Sequence, residues 1–201
     1  VPNASLSNGI AIQDSVMYDL GFKDGDKILK ANGKEIVDFS DIIKRVLVSE
    51  NVTIERNGTV QEMALPVNLI GELVEKKRSN TPLILPRIPA ILKEVPDSFP
   101  AYKAGLKPGD RILALDGKPT PFYDQLRRAI APHINDSVSL TILRNTDTLV
   151  LGAKTNADGK LGFLPINTME DFQQAGVLSY SVKNYGFFEA IPAGIGMAGE
   201  Q

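Results

Sequence analysis

The sequence predicts an α+β, mostly β fold: two small, partly open β-barrels with flanking helices, set in tandem. Two observations carry this. A glycine-punctuated segment recurs at an offset of 84, with Gly21, Lys23, Gly25, Asp26, Ile28, Leu29, Gly33 and Lys34 matched at Gly105, Lys107, Gly109, Asp110, Ile112, Leu113, Gly117 and Lys118. Both copies then run through a helix-period stretch into a strand and hairpin, Thr53-Ile54-Glu55-Arg56-Asn57 against Thr141-Ile142-Leu143-Arg144-Asn145. A period near 85 is too long for a solenoid unit and right for a small domain, and a length of 201 residues accommodates two.

Each element follows from local chemistry. Gly25-Asp26 and Gly109-Asp110 are turn pairs, the glycine free to take positive φ and the aspartate able to bond its own backbone. Ile28-Leu29 and Ile112-Leu113 read as short strands closed by the tight-turn dipeptides Asn32-Gly33 and Asp116-Gly117. Phe39, Ile42, Ile43, Val46 and Leu47, and later Tyr123, Leu126 and Ile130, have the spacing of amphipathic helices. The strand Val52–Arg56 turns at Asn57-Gly58 into Val60–Leu65, and Val138–Arg144 turns at Asn145–Asp147 into Thr148–Leu151. The later offset is 88, which places four extra residues of the second copy near Ala131-Pro132-His133-Ile134.

Composition excludes much. Lys+Arg 22 against Asp+Glu 24 leaves a formal charge of −2, without the basic face that nucleic acid requires. With no Cys and one His, the chain has no thiolate zinc site, no cysteine nucleophile and no H-E-x-x-H, so the site expectation is catalytic none and metal none. The opening Val1-Pro2-Asn3-Ala4 and the glycine-rich end read as a piece of a longer protein.

Asp97-Ser98-Phe99-Pro100-Ala101-Tyr102-Lys103-Ala104-Gly105-Leu106-Lys107-Pro108-Gly109-Asp110-Arg111-Ile112-Leu113, followed by Asp116-Gly117-Lys118, resembles the PDZ signature of bacterial proteases, and the first copy repeats it in degraded form. The tandem order resembles the periplasmic region of site-2 type intramembrane zinc proteases, of the regulator of sigma-E protease kind. That resemblance implies circularly permuted PDZ domains, in which the peptide-accepting strand follows the rest of its domain. It divides the chain into a first domain at 1–80, completed by a strand near 81–89, a second at 90–168, and a membrane-proximal tail at 169–201 containing Tyr185-Gly186-Phe187-Phe188-Glu189-Ala190-Ile191.

It also implies the candidate site. Leu161-Gly162-Phe163-Leu164 resembles the carboxylate-binding loop and accepting strand, with Leu126 and Ile130 as the facing helix wall. Backbone N–H groups of such a loop cradle a terminal carboxylate while the strand adds the peptide. The first-domain counterparts are Leu83-Ile84-Leu85, with Ile42 and Val46 as the wall, and Ile84 stands where the loop glycine is expected. The resemblance further implies a parent enzyme holding zinc, with no cofactor in this chain. It implies a single-span, anti-sigma-factor-like substrate, the parent's membrane protease domain as partner, no nucleic acid, and a periplasmic location on a bacterial inner membrane. The alternatives are a PDZ module of a soluble periplasmic serine or C-terminal processing protease, and a non-enzymatic PDZ scaffold.

Other motifs have plainer readings. Gly194-Ile195-Gly196-Met197-Ala198-Gly199 matches G-x-G-x-x-G but follows Pro192 and has no acidic residue about 20 positions on, so it reads instead as a small-residue helix approaching a membrane. His133 reads as a solvated loop histidine, Glu75-Lys76-Lys77-Arg78 as a solvated linker, and Ser179-Tyr180-Ser181-Val182-Lys183 as no dyad.

Overall fold

Asn32 and Asp116 both adopt φ 47°, and Gly33 and Gly117 both adopt 75°, so the two turn dipeptides form the same left-handed hairpin turn that only Gly, Asn and Asp enter readily. The structure, a computed structural model, describes residues 2–3, 6–66, 69, 71 and 81–178. The readings made of Glu75–Arg78, Ser179–Lys183, Tyr185–Ile191 and Gly194–Gly199 therefore lie outside the described residues.

In the first unit, β1 (Ile10–Ile12) leads to a one-turn helix α1 (Val16–Asp19), then β2 (Lys27–Ala31) and β3 (Lys34–Glu35). A 3-10 turn at Phe39–Asp41 enters α2 (Ile42–Leu47), followed by the hairpin β4 (Asn51–Arg56) and β5 (Thr59–Ala64) and, after the connection, β6 (Ile84–Pro86). The second unit repeats this order: β7 (Leu92–Glu94), α3 (Pro100–Lys103), β8 (Arg111–Leu115), β9 (Lys118–Pro119), α4 (Tyr123–Ile130), β10 (Ser137–Arg144), β11 (Asp147–Lys154) and β12 (Leu164–Pro165), with α5 (Met169–Gln174) after it.

Each unit has a four-stranded sheet, β3-β2-β4-β5 or β9-β8-β10-β11, and a two-stranded one, β1-β6 or β7-β12. The sheets stay open; the expected partial barrels do not close into barrels. The strand that follows each unit returns to pair antiparallel with the first, Ile12 opposite Ile84 and Glu94 opposite Leu164, which is the permuted arrangement. Both central strands carry an irregularity at the same place, skipping Leu29 in one and Leu113 in the other. The second hairpin runs three residues beyond the expected Leu151, to Lys154. The extra length of the second copy falls where expected, between α4 and β10, where Gly159 packs against the Ala131 carbonyl.

Two buried apolar clusters result. One gathers Ile10, Phe22, Ile28, Ile42, Val46, Val52, Ile54 and Ile84; the other gathers Leu92, Leu106, Ile112, Leu126, Leu140, Ile142 and Leu161. At one end of each four-stranded sheet lies an ion pair with a buried carboxylate, which turn chemistry alone did not anticipate. Asp26 accepts from Arg56 Nε at 2.8 Å, from the second Arg56 nitrogen at 2.7 Å and from the Lys23 N–H at 2.8 Å. Asp110 repeats the pattern with Arg144 at 2.7 and 2.8 Å and the Lys107 N–H at 2.8 Å. Both carboxylates are 1% exposed, so burial is tolerable only because three donors satisfy them. The signal was in the sequence as the repeated Arg56/Arg144, 30 and 34 residues from the aspartates they serve.

After β12 the chain does not leave the fold at once. Thr168 caps α5 by accepting from the Asp171 N–H, and Lys93 of the β7 strand bonds Asp171 at 2.9 Å. Leu178 then bridges Leu6, and Ser7 N–H donates to the Val177 carbonyl at 3.1 Å, so the segments entering the first unit and leaving the second lie side by side.

Candidate peptide-binding site

The second-unit candidates come together. Leu126 and Ile130 of α4 and Leu161, Gly162 and Phe163 of the loop before β12 line one pocket of about 140 Å³, joined by Tyr123, Arg127 and Lys160. Their placement follows from the elements. A one-helix spacing puts Tyr123, Leu126, Arg127 and Ile130 on the side of α4 turned toward β12. Tyr123 meets Phe163 edge to face at 6.1 Å between centroids, which closes one end of the wall. Leu164, at the outer edge of β12, is half exposed. Among the described strands β12 is hydrogen-bonded to β7 alone, so its other edge has no strand partner.

Gly162 takes φ +74°, but the structure gives it a reason other than room for a ligand. A Cβ there would stand 2.7 Å from Phe99 Cβ and overlap the ring itself. Phe99 precedes α3, and the Ala101 N–H on that helix donates to the Leu161 carbonyl at 2.8 Å, so α3 and the loop are locked together. The glycine is demanded by the way the loop is held.

In the first unit the candidates are placed differently from the expected alignment. Pro86 and Pro165 are equivalent, since each is opposite the first residue of its partner strand, and Ile84 matches Leu164 inside the strand. The position matching Gly162 is therefore Pro82, and Ile84 is corrected from loop to strand. Part of the displacement has a physical cause: β12 lacks one residue where its register shifts, which moves the count by one. Ile42, Val46, Leu83 and Ile84 are buried in the first core, and Leu85 is exposed.

Leu85 instead lines a second cavity of about 350 Å³ between the units, with Ala11, Gln13 and Pro86 on one side and Tyr123, Arg127, Ile166 and Phe172 on the other. The joint beside it is charged. Asp124, on α4, is buried and receives Arg87 Nε at 3.1 Å and Arg128 at 2.8 Å; Arg128 also reaches Asp24 of the first unit at 2.8 Å. Tyr18 donates to Asp24 at 2.6 Å, and its phenol is pushed up to about 12 by burial and by that carboxylate. Sequence reasoning missed this cluster because its members are far apart in the chain and belong to no motif. His133 lies in the loop after α4, its Nδ1 2.9 Å from Asp136, away from both cavities.

The described residues gather no three His, Cys, Asp or Glu side chains that could hold a metal ion, and the sequence has one His and no Cys. Zinc therefore has no fit among them. No described helix is long and apolar enough to cross a membrane.

Comparison with known proteins agrees with this geometry. Residues 94–144 match the family model described as PDZ domain, the stretch from the end of β7 through β10. That stretch is thus similar to a PDZ domain. The chain is also similar to proteins named "Putative zinc metalloprotease". One from Neisseria meningitidis is 26% identical over 148 residues, covering 70% of this chain and 33% of that protein. One from Rhizobium meliloti is 33% identical over 116 residues, covering 53% and 29%. A "Putative serine protease HhoA" from Synechocystis is 30% identical over 110 residues, covering 51% and 28%. The chain thus spans a third or less of the length of these relatives.

Proposed function

We propose that this chain is the non-catalytic tandem PDZ region of a membrane-embedded zinc metalloprotease of the site-2 type, on the periplasmic side of a bacterial inner membrane. In this reading the 1–80 and 81–89 segments make the first PDZ domain, 90–168 the second, and 169–201 leads toward the membrane. The second domain binds substrate C-termini, and the pair restricts which single-span substrates, anti-sigma-factor-like proteins among them, reach the active site elsewhere in the protein.

The observation that carries the binding role is the pocket of about 140 Å³ between α4 and the Leu161–Phe163 loop, apolar at Leu126 and Ile130 and just before β12, whose second edge has no strand partner among the described strands. An apolar terminal side chain fits between those residues while the loop amides meet the carboxylate. In the first unit Pro82 at the loop position has no N–H to offer, so its cradle lacks a donor and that unit acts chiefly by bulk. The test is titration of the whole chain with a peptide ending in a free apolar residue and with its amidated twin. The free peptide binds with a Kd between ~1 μM and ~1 mM, and the amide loses most of that affinity. Equal binding of the two overturns the assignment.

The serine protease relative favours a second reading, a PDZ module of a soluble periplasmic protease. The gene sequence on either side of this region separates the two: H-E-x-x-H within an apolar helix supports the first, a Ser-His-Asp domain the second.

A further inference from the structure

We infer that the cavity between the two units is a binding site for a free fatty acid of medium chain length, its hydrocarbon chain held among Leu85, Pro86, Ile88, Tyr123 and Phe172 and its carboxylate on Arg127. The inference does not depend on peptide binding at the α4 groove. At about 350 Å³ the cavity is more than twice the size of the groove pocket. It lies at the lower end of the ~300–1,000 Å³ range of small-ligand sites, which suits a single chain. Its walls come from both units: Leu85 and Pro86 from β6, Tyr123 and Arg127 from α4, and Phe172 from α5. Leu85 is 43% exposed although it lines the cavity, so apolar surface there remains to be covered.

The cavity wall suits methylenes better than a peptide. An added peptide strand needs main-chain donors at alternate positions along the edge it joins. The Gln13 N–H goes to the Leu83 carbonyl and the Arg87 N–H to the Gly9 carbonyl, with Leu85 opposite Ala11 between them, so these residues turn their main-chain groups toward β1. Pro86 turns the other way, and it has no N–H. Pro165 stands at the equivalent place in β12. Beyond it the Ile166 N–H is committed to the Ile91 carbonyl at 3.1 Å and the Asn167 N–H to Asp171 at 3.1 Å. Neither proline offers the donor that a ladder would need along this wall. A hydrocarbon chain asks for none.

Charge selects the head group. Three guanidiniums, Arg87, Arg127 and Arg128, meet two carboxylates, Asp24 and Asp124, at the joint beside the cavity. Asp124 lines the cavity but is buried and already held, by Arg87 Nε at 3.1 Å and by Arg128 at 2.8 Å. Arg128 also serves Asp24, at 2.8 Å. Arg127 is the cation left over. It is exposed and lines the cavity, and among the described residues its guanidinium bonds the neutral Gln13 Oε1, at 2.9 Å across the joint, and no carboxylate. A carboxylate arriving beside it gains a charge-assisted, two-pronged partner, whereas a cationic head meets an excess of positive charge.

The test is isothermal titration calorimetry of the whole chain with sodium octanoate, sodium decanoate and decyltrimethylammonium bromide, each below its micelle concentration. Decanoate binds one to one and about tenfold more tightly than octanoate, from the two further methylenes it buries. Decyltrimethylammonium, the same chain with a cationic head, binds at least about tenfold more weakly than decanoate. Arg127→Gln weakens decanoate about fivefold, the loss expected of a partly solvated charge pair. Leu85→Asp sets a carboxylate in the wall and Leu85→Trp fills the cavity, and each weakens decanoate at least about tenfold. Circular dichroism melting confirms that both variants, made at an exposed position, are folded. Absence of saturable decanoate binding overturns the inference. So does equal binding of the cationic amphiphile, which marks adsorption to apolar surface. Undiminished decanoate binding in the folded Leu85 variants puts the ligand outside this cavity and overturns it as well.

Discussion

Replacing Gly162 by Ala tests why the candidate loop has its shape. The backbone at Gly162 is left-handed, φ +74°, and forcing Ala there costs about 1–2 kcal/mol. The added methyl would also stand 2.7 Å from Phe99 Cβ and run into its ring. The Phe99 atoms concerned lie at the root of the side chain, so no distal rotation relieves the clash, and overpacking adds about 1–3 kcal/mol. Reduced freedom of the unfolded chain returns about 0.4–1 kcal/mol. The net loss expected is about 1–4.6 kcal/mol. A Phe99→Ala background removes the ring overlap and leaves the backbone cost and the contact with the retained Cβ, so the two changes couple by about 1 kcal/mol. Denaturant unfolding of wild type, both single variants and the double variant, followed by far-ultraviolet circular dichroism, measures this. If Gly162→Ala costs the same with and without Phe99, the ring is not what demands the glycine, and the ligand-approach explanation regains its place.

Two further outcomes follow from the charged groups. Asp26→Ala strips Arg56 and the Lys23 N–H of a buried acceptor and lowers stability by about 3–5 kcal/mol, whereas Asp26→Asn, which keeps an acceptor, loses less; equilibrium unfolding distinguishes them, and equal losses refute the account. The Lys93 ammonium, with the Thr168 side chain and backbone, holds the Asp171 carboxyl well below its ordinary 3.8. Because the folded value is the lower one, this contribution is fully present above about pH 4 and fades as pH falls through the folded value. Melting temperature against pH should therefore drop less steeply on the acid side in Asp171→Asn than in wild type, and parallel curves would refute it.

Much of the fold was legible because its punctuation is local. Asn32-Gly33, Asp116-Gly117 and Asn57-Gly58 take the positive φ that their residue types favour, and the helix-spaced Tyr123, Leu126 and Ile130 form α4 with the apolar pair buried. The second-unit candidate site was legible for the same reason, lying on one short helix and one loop. The first-unit site was not. Register across β1–β6 is fixed by pairing with Ile10–Ile12, and a one-residue difference between the two accepting strands is invisible to counting from a shared motif. The role of Gly162 was hidden likewise, since Phe99 is 63 residues away in the chain and touches it only after folding. Arg56 and Arg144 were visible as repeats, but nothing local says that they reach the buried aspartates.

The placement of the charges gives α4 a second duty. Leu126 and Ile130 face the groove, Tyr123 and Arg127 face both groove and inter-unit cavity, and Asp124 and Arg128 face the joint with the first unit. A buried carboxylate such as Asp124 needs its cations, and one of them, Arg87, comes from the segment that connects β6 to β7 and stacks over Phe122 at 4.0 Å. Arg128 is half exposed, so its bond to Asp24 contributes little by itself. What matters is that Arg128 serves two carboxylates at once, one on its own helix and one on the first unit, while Tyr18, still protonated far above neutral pH, holds Asp24 in reach. The groove wall is thus fastened to the first unit through the same few side chains that keep Asp124 neutralised. Displacing α4 outward would strain those contacts, so the width of the pocket beside α4 is tied to its joint with the first unit.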